Sequence, residues 1–273
     1  MKWSNKRIWV VGASSGIGEG LVNVLSKHGS RLIISSRRTD LLEDIASRHQ
    51  GTEIKVIRAD MEAHSELADI ARRAWEVYDG LDYIFLNAGM SARDLVSETK
   101  IDVEKKVMDI NFWGPVTITK ALLPDLTKSK ESHIVLTSSL SGKYGVPKLA
   151  SYAASKHALH GYFDSLRTET YQTGLKIHIA IPGFIKTDIT VAGLKGDGTV
   201  NGKMQQSLEK GMDADRCAEI ILRKLGKGKE EFVVGGSERH TVFINRLFPG
   251  LTKKMIRSRP LKTIRNLKKK TGL

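Results

Sequence analysis

Cysteine is nearly absent: Cys217 is the only one in 273 residues. A lone thiol excludes an internal disulfide and fits a reducing compartment. No Cys/His cluster has the spacing of a metal site, so no metal is expected. Proline is scarce too, six in all, and no Pro/Ser/Gly-rich spacer, internal repeat or low-complexity block divides the chain. One large domain with a full core is expected. No apolar run reaches the roughly 18 residues that a membrane-crossing helix needs. The opening MKWSNKRIWVVGASSG is not expected to be a signal peptide, because its apolar run is short and passes straight into glycine. A cytoplasmic location is expected, peripheral to a membrane if the C-terminal tail binds one. Acid is missing from that tail. Residues 241–273 hold ten Lys/Arg and no Asp or Glu. Of the net charge of +14, ten units therefore sit there, and the other 240 residues carry +4. The chain reads as an ordinary globular body, residues 1–240, with a basic tail, 241–273.

What is present is a strand–helix alternation. The stretch RIWVVGASSGIGEGLVNVLSKHG gives a short β-branched strand, a glycine turn and a helix with Ile17, Leu21, Val24 and Leu25 on one face. RLIISSR is a strand, and TDLLEDIASRHQ a helix with Thr39 as N-cap. EIKVIRAD, LDYIFLNAG, HIVLTSS, LKIHIAIPG and EEFVVGG are further strands. Helices lie between them: HSELADIARRAWEVY, residues 101–128 interrupted near WGP, 151–172, and one begun by Asp213 or Asp215 and running to Leu225. Short β–α links predict an α/β, Rossmann-like, doubly wound domain with a mostly parallel sheet and helices on both faces. Its ligand site belongs at the carboxyl ends of the strands.

The turn GASSGIG, Gly12 to Gly18, sits after the first strand and opens the first helix. Gly12 allows the tight turn, while Gly16 and Gly18 remove side chains where backbone meets a pyrophosphate or where helix meets strand. The helix N-terminus adds N–H groups and positive dipole for an anion. Ser14, Ser15 and Ile17 share the loop. The spacing G-x-x-x-G-x-G resembles that of the short-chain dehydrogenases/reductases. The later motifs fall in that family's order: LNAG (86–89), Asn111, the serine pair before Gly142, YAASK (152–156) and PGFIKT (182–187). The resemblance spans about residues 7–236. It implies a seven-stranded sheet in the order 3-2-1-4-5-6-7, a nicotinamide cofactor, and homodimers or homotetramers that pair through long helices.

At the end of the second strand an acid would bind the ribose hydroxyl of NAD, and an arginine the 2′-phosphate of NADP. IISSRRT offers no acid there, and Arg37 and Arg38 follow at once. Guanidinium pairs well with phosphate, so NADP(H) is expected. By resemblance, Asp60 with Met61 contacts adenine, and Asn87, Ala88 and Gly89 form the cofactor floor. Pro182, Gly183, Ile185 and Thr187 likewise face the nicotinamide and phosphates.

Tyr152 stands four residues before Lys156, on one helix face. A phenol has a pKa near 10, and a cation one turn away favours its ionised form. Such a pair can exchange a proton with an alcohol or carbonyl oxygen. A bare Y-x-x-x-K recurs on ordinary helices, so the pair gains meaning from Ser139, thirteen residues earlier at a strand end. The resemblance implies that Ser139 bonds the substrate oxygen and Tyr152 is the acid/base. It implies too that Lys156 also holds the ribose and Asn111 supports a water relay. Ser138 and Ser141 are taken as structural, as is His157, which turns about 100° from Lys156 on the helix. Tyr144 either lines the cleft or merely packs, and Cys217 is a small core residue. The expectation is an NADP(H)-dependent oxidoreductase acting on a carbonyl/alcohol pair. The alternative is an NADP(H)-binding sensing or interaction protein without turnover.

Residues 188–212 carry five glycines and weak periodicity, and they are expected to form a substrate lid. Val191, Leu194 and Met204 suggest an apolar ligand. In the tail, Phe243, Leu247, Leu251 and Met255 recur at spacing four among the basic residues, and Pro249 breaks one helix and starts another. Leu261, Ile264 and Leu267 continue the set. This stripe either lies on an anionic membrane or packs on the body or another subunit. Nucleic acid is not expected, since the tail has no Tyr or Trp for stacking. The C-terminal half is also similar to a membrane-associated subgroup acting on steroid, retinoid or other lipid carbonyls.

Overall fold

The computed structural model describes residues 3–257. Seven parallel strands form one sheet: β1 (Arg7–Val11), β2 (Arg31–Ser36), β3 (Ile54–Arg58), β4 (Tyr83–Leu86), β5 (Ser132–Thr137), β6 (Leu175–Pro182) and β7 (Glu231–Val234). Their order is β3-β2-β1-β4-β5-β6-β7. The first helices are α1 (Gly16–Ser26), α2 (Thr39–Arg48), α3 (His64–Glu76), α4 (Ile101–Met108), α5 (Gly114–Lys128) and α6 (Ala150–Glu169). They are followed by the short α7 (Gln206–Glu209), then α8 (Ala214–Leu225), α9 (His240–Leu247) and α10 (Pro249–Arg257).

Period-two alternation sends each strand's side chains to two cores. From β1, Trp9 and Val11 join Leu67 and Ile70 of α3, Ile118 and Leu122 of α5, and Leu159 and Phe163 of α6. Ile8 and Val10 face the other way, onto Leu21 and Leu25 of α1 and Ile221 and Leu222 of α8. Cys217 is buried in this second core, and burial pushes its thiol up to about 12. Burial of both sheet faces is why the strands read as near-continuous apolar runs.

Local details follow from side-chain chemistry. The interruption near WGP is a π-helical turn, Asp109–Trp113, which carries Asn111. Such turns displace a helical residue from its regular position and recur at functional sites. Asp213 caps α8, its Oδ1 accepting from the backbone N–H of Asp215 (2.9 Å) and Arg216 (3.2 Å). Thr39 is not the cap of α2. Arg38 holds that position, because the Ser36 hydroxyl accepts from the Arg38 N–H at 3.0 Å and turns the chain one residue earlier. Pro249 opens α10 as its first residue. Among the described residues, no helix is long and apolar enough to cross a membrane. Leu261, Ile264 and Leu267 lie outside the described residues.

With β4 beside β1, the chain leaves the two strands in opposite directions. The loops after them therefore part and leave a crevice at the carboxyl ends.

Candidate active site

A cleft of about 1000 Å³ occupies that crevice. One end is the glycine turn. Gly12 has φ +83°, and a Cβ there would stand 2.5 Å from Ala88 Cα. Gly16 has φ +58° and faces the Thr187 methyl. Both positions thus require glycine on conformation and on space. Gly18 lies beneath the loop rather than along the cleft: a Cβ there would meet the Gly12 carbonyl oxygen at 2.0 Å. Its part is helix–strand packing. Ser15 enters α1 in extended conformation, and no side chain caps the helix. Ser14, Ser15, Gly16 and Ile17 line the cleft.

Asn87 ties this end to the sheet. Its Nδ2 donates to the Gly12 carbonyl at 3.0 Å, and its Oδ1 accepts from Thr137 Oγ1 at 3.0 Å. Arg38 reaches across the turn, its Nη2 donating to Ser14 Oγ (2.9 Å) and Ser15 Oγ (3.1 Å). Arg37 is exposed beside it. Both arginines line the cleft, as do Asp60, Met61, Ala88 and Gly89.

At the centre stand Ser139, Tyr152 and Lys156. Ser139 ends the β5 loop in extended conformation, and its Oγ accepts from the Ser141 N–H at 3.2 Å. Helix α6 carries Tyr152 and Lys156 one turn apart. Lys156 is 3 % exposed, and its Nζ donates to the Thr137 carbonyl at 2.8 Å. Burial lowers its pKa to about 8. Burial also holds the Tyr152 phenol above its ordinary value, opposed by a hydrogen bond with Ser139. The sequence-based expectation assigned that opposing pull to the lysine. Here Lys156 Nζ lies 5.8 Å from the Tyr152 ring centre and is engaged by Thr137, and the direct hydrogen bond that opposes burial at the phenol is with Ser139.

Asn111 is fully buried and does not line the cleft. Its Oδ1 accepts from the Met90 N–H (2.8 Å), and its Nδ2 donates to the Met90 carbonyl (2.9 Å) and to Ser155 Oγ (2.9 Å). The side chain therefore locks the turn after β4 to α6. A Cβ on Gly89 would stand 3.2 Å from Asn111 Oδ1 and 3.5 Å from Lys156 Nζ, so the three meet around that glycine.

At the end of β6 and just after it, Pro182, Gly183, Ile185 and Thr187 line the cleft. Glu238 fixes this segment, accepting from the Phe184 N–H (3.0 Å) and the Gly236 N–H (3.0 Å). Within residues 188–212, Leu194 lines the cleft, and Val191 and Met204 do not. The segment is pinned to the loop after β4: Arg93 N–H donates to the Leu194 carbonyl, and Leu194 N–H to the Ser91 carbonyl, both at 2.9 Å. Tyr144 lines the cleft and bonds Thr241 Oγ1 at 2.7 Å. The His157 ring donates to the Ala153 carbonyl at 2.8 Å, outside the cleft.

Several residues of the site carry no local signal in the sequence. Ser138 Oγ meets His160 Nε2 at 2.9 Å, while Lys143 and Glu231 gather at the other ring nitrogen (3.1 and 3.2 Å). The His160 hydrogen bond, with Lys143, holds the Glu231 carboxyl down at about 2 against its burial. This network braces the strand end that carries Ser139 against α6 and β7. Arg93 and Glu238 enter the cleft from afar in sequence. The tail does as well: Thr241, Ile244, Thr252 and Ile256 form one wall. Among the described residues, no three His, Cys, Asp or Glu side chains gather as a metal site.

A doubly wound sheet with a glycine-cradled, helix-headed cleft at its switch point defines a nucleotide-binding α/β class. The sequence pattern described as short chain dehydrogenase matches residues 6–196, and the chain belongs to that family. It is 33% identical over 273 residues to a Drosophila melanogaster protein named Dehydrogenase/reductase SDR family protein 7-like, covering 97% of this chain and 83% of that one. It is also 33% identical over 265 residues to mouse Dehydrogenase/reductase SDR family member 7B, covering 94% and 82%. Among solved structures, a Burkholderia phymatum short chain dehydrogenase/reductase in complex with NAD superposes with a TM-score of 0.81 at 19% identity, over 92% of this chain and 96% of that one. A Thermococcus sibiricus alcohol dehydrogenase complexed with 5-hydroxy-NADP gives 0.73 at 23% identity, over 84% and 96%.

Proposed function

We propose that the protein is an NADP(H)-dependent oxidoreductase that interconverts a carbonyl and an alcohol. The observation that carries this reading is the convergence of Ser139, Tyr152 and Lys156 in a cleft that the glycine cradle also lines. The cradle fits a dinucleotide: glycine at positions 12 and 16 lets the turn pass tightly by Ala88 and Thr187, and the α1 N-terminus that the turn opens has no side-chain cap. Solved structures of the same fold are complexes with NAD or 5-hydroxy-NADP.

Gly12, Ser14, Ser15, Gly16 and Ile17 would hold the pyrophosphate, with Gly18 supporting them from below. Asp60 and Met61 would meet adenine, and Asn87, Ala88, Gly89 and Lys156 the riboses. Pro182, Gly183, Ile185 and Thr187 would flank the nicotinamide, which when bound supplies or accepts the hydride. The protein's own groups handle the oxygen and its proton. The Ser139 hydroxyl donates to the substrate oxygen and holds it beside Tyr152. In reduction, the Tyr152 hydroxyl releases its proton to that oxygen as negative charge develops there; in oxidation it takes the proton back. The Lys156 cation stabilises the phenolate left behind. Asn111 keeps the turn after β4 in register with α6, and so keeps Gly89 beside Lys156.

The cofactor choice rests on Arg37 and Arg38 at the end of β2. Replacing both by alanine is expected to raise the KM for NADPH roughly 100-fold, the loss of two charge-assisted phosphate contacts, and to raise that for NADH far less, through loss of the Arg38 brace on Ser14 and Ser15. Steady-state kinetics with each nicotinamide checks this, and a wild-type preference for NADH would overturn the assignment. A sensing protein would bind NADPH equally well, so turnover decides between the two readings.

The exposed Ile101 and Trp113, at the head of α4 and just before α5, suit a homodimer or homotetramer paired through these helices. Light scattering that gives only the 30.2 kDa species would contradict such pairing.

A further inference from the structure

Among the described residues, three carboxylates line the cleft: Asp60, Asp188 and Glu238. Asp60 follows β3, at the end assigned to adenine, and Asp188 is exposed. Glu238 is half-buried and stands against Gly183 and Phe184, in the segment assigned above to the nicotinamide.

The surroundings are shaped to this one side chain. A Cβ on Gly183 would collide with Glu238 Oε1. One on Gly235 would stand 2.5 Å from Oε1, and one on Gly236 2.9 Å from Oε2. Glycine at all three positions makes room for the carboxylate. The main chain at Glu238 is fixed as well, since Thr241 Oγ1 donates to its carbonyl at 2.6 Å.

The two carboxylate oxygens are used unequally. Oε1 accepts from the Phe184 N–H and the Gly236 N–H, both at 3.0 Å. Oε2 accepts from no donor among the described residues, and Glu238 enters no ion pair with them. Glu231, seven residues earlier, shows the contrast: its carboxylate is paired with Lys143 and His160. Lys156, the buried cation of the cleft, donates to the Thr137 carbonyl instead. Two amide donors need only a neutral acceptor, such as a glutamine oxygen. Glutamate leaves a whole negative charge at the cleft wall with no cation paired to it. A half-buried charge of this kind acts on whatever changes charge beside it. A nicotinamide ring is cationic when oxidised and neutral when reduced, and charges near a cofactor tune its chemistry.

We propose that Glu238 sets the redox poise of the bound cofactor: its unpaired charge stabilises the oxidised nicotinamide over the reduced one and favours carbonyl reduction. In that direction the carbonyl carbon takes a hydride, its oxygen takes the Tyr152 proton, and the ring is left with one positive charge. The inference rests on the nicotinamide reading above and adds a preferred direction to it.

The test compares dissociation constants of oxidised NADP and of NADPH, the first by calorimetry and the second by fluorescence, for wild type and three variants. Glu238→Gln keeps the length and an oxygen for the two amides but removes the charge. It is expected to raise the ratio of the oxidised to the reduced constant roughly fivefold, the size of one solvent-screened charge pair, with NADPH affinity within about twofold. A fivefold change in that ratio raises the potential of the bound couple by about 20 mV. Glu238→Ala, which also removes the amide bonds, should weaken both forms and still raise the ratio. Glu238→Asp keeps the charge and shortens the reach, so the ratio should stay within about twofold of wild type even where both affinities fall. An unchanged ratio in Glu238→Gln and Glu238→Ala, or both constants raised by one factor, would show that Glu238 only holds the Phe184 turn and would overturn the proposal. So would an equal shift of the ratio in Glu238→Asp. Wild type that binds neither form would sink the cofactor reading itself, whereas binding of both forms with an unmoved ratio sinks the poise alone.

Discussion

Tyr152→Phe is expected to lower kcat roughly thousandfold while NADPH affinity stays within about twofold. The substitution removes one hydroxyl and keeps the ring that lines the cleft. No other side chain takes over the proton. Ser139, whose Oγ accepts from the Ser141 N–H, is an ordinary weakly acidic hydroxyl that holds the substrate oxygen, Ser138 is bonded to His160, and Lys156 donates to a backbone carbonyl. Burial holds the phenol's pKa up, opposed by the Ser139 hydrogen bond, so in this structure it rests as a protonated acid. That state suits reduction, where a proton must be delivered as the oxygen becomes negative. Steady-state kinetics on any carbonyl the wild type reduces, with NADPH binding followed by fluorescence, checks both halves. A variant within tenfold of wild-type kcat would place the acid elsewhere.

Lys156 has a stability signature as well as a catalytic one. Its amine is almost wholly buried, and its pKa is lowered to about 8 from an ordinary value of 10.5. The folded state thus binds this proton less well than the unfolded chain. The cost is full below pH 8 and disappears as pH rises towards 10.5, so the residue's contribution improves with pH across that window. Against Lys156→Met, which cannot titrate, wild type should gain about 3 kcal/mol between these limits. The carbonyl of Thr137 loses its donor in the variant, but that loss is constant with pH and cancels from the slope. Turnover should fall by at least roughly 100-fold, since the phenolate loses its cation. Denaturant titrations of both proteins across the window give the slope. A parallel pair of stability curves would show that the amine is neither dry nor perturbed.

The fold was legible because the inner strands are buried on both faces and most links are short. Runs such as RLIISS and LKIHIAIP then stand out between helices with one apolar face. The strand order came from family resemblance, since periodicity gives elements and not their neighbours. The site was legible where it is local: the glycine turn, Tyr152 with Lys156, Arg37 with Arg38. It was illegible where the chain meets itself. His160 reads as a helix histidine until Ser138, Lys143 and Glu231 arrive from three other elements. Glu238 reads as a loop acid until it meets the Phe184 and Gly236 amides. The tail shows its apolar spacing in sequence, but that Thr241, Ile244, Thr252 and Ile256 wall the cleft depends on where α9 and α10 land. The Thr39 cap was missed by one residue, because a serine hydroxyl three positions earlier had already turned the backbone.

The central claim is hydride transfer between NADPH and a carbonyl within this cleft. The most direct test is to incubate the protein with NADPH deuterated at its transferable position and a panel of aldehydes, ketones, quinones, steroids and retinoids. The products are then weighed by mass spectrometry. The account predicts an alcohol carrying one deuterium, formed by wild type and not by Tyr152→Phe. Saturable NADPH binding with no deuterated product from any class would contradict it and favour a cofactor-sensing protein.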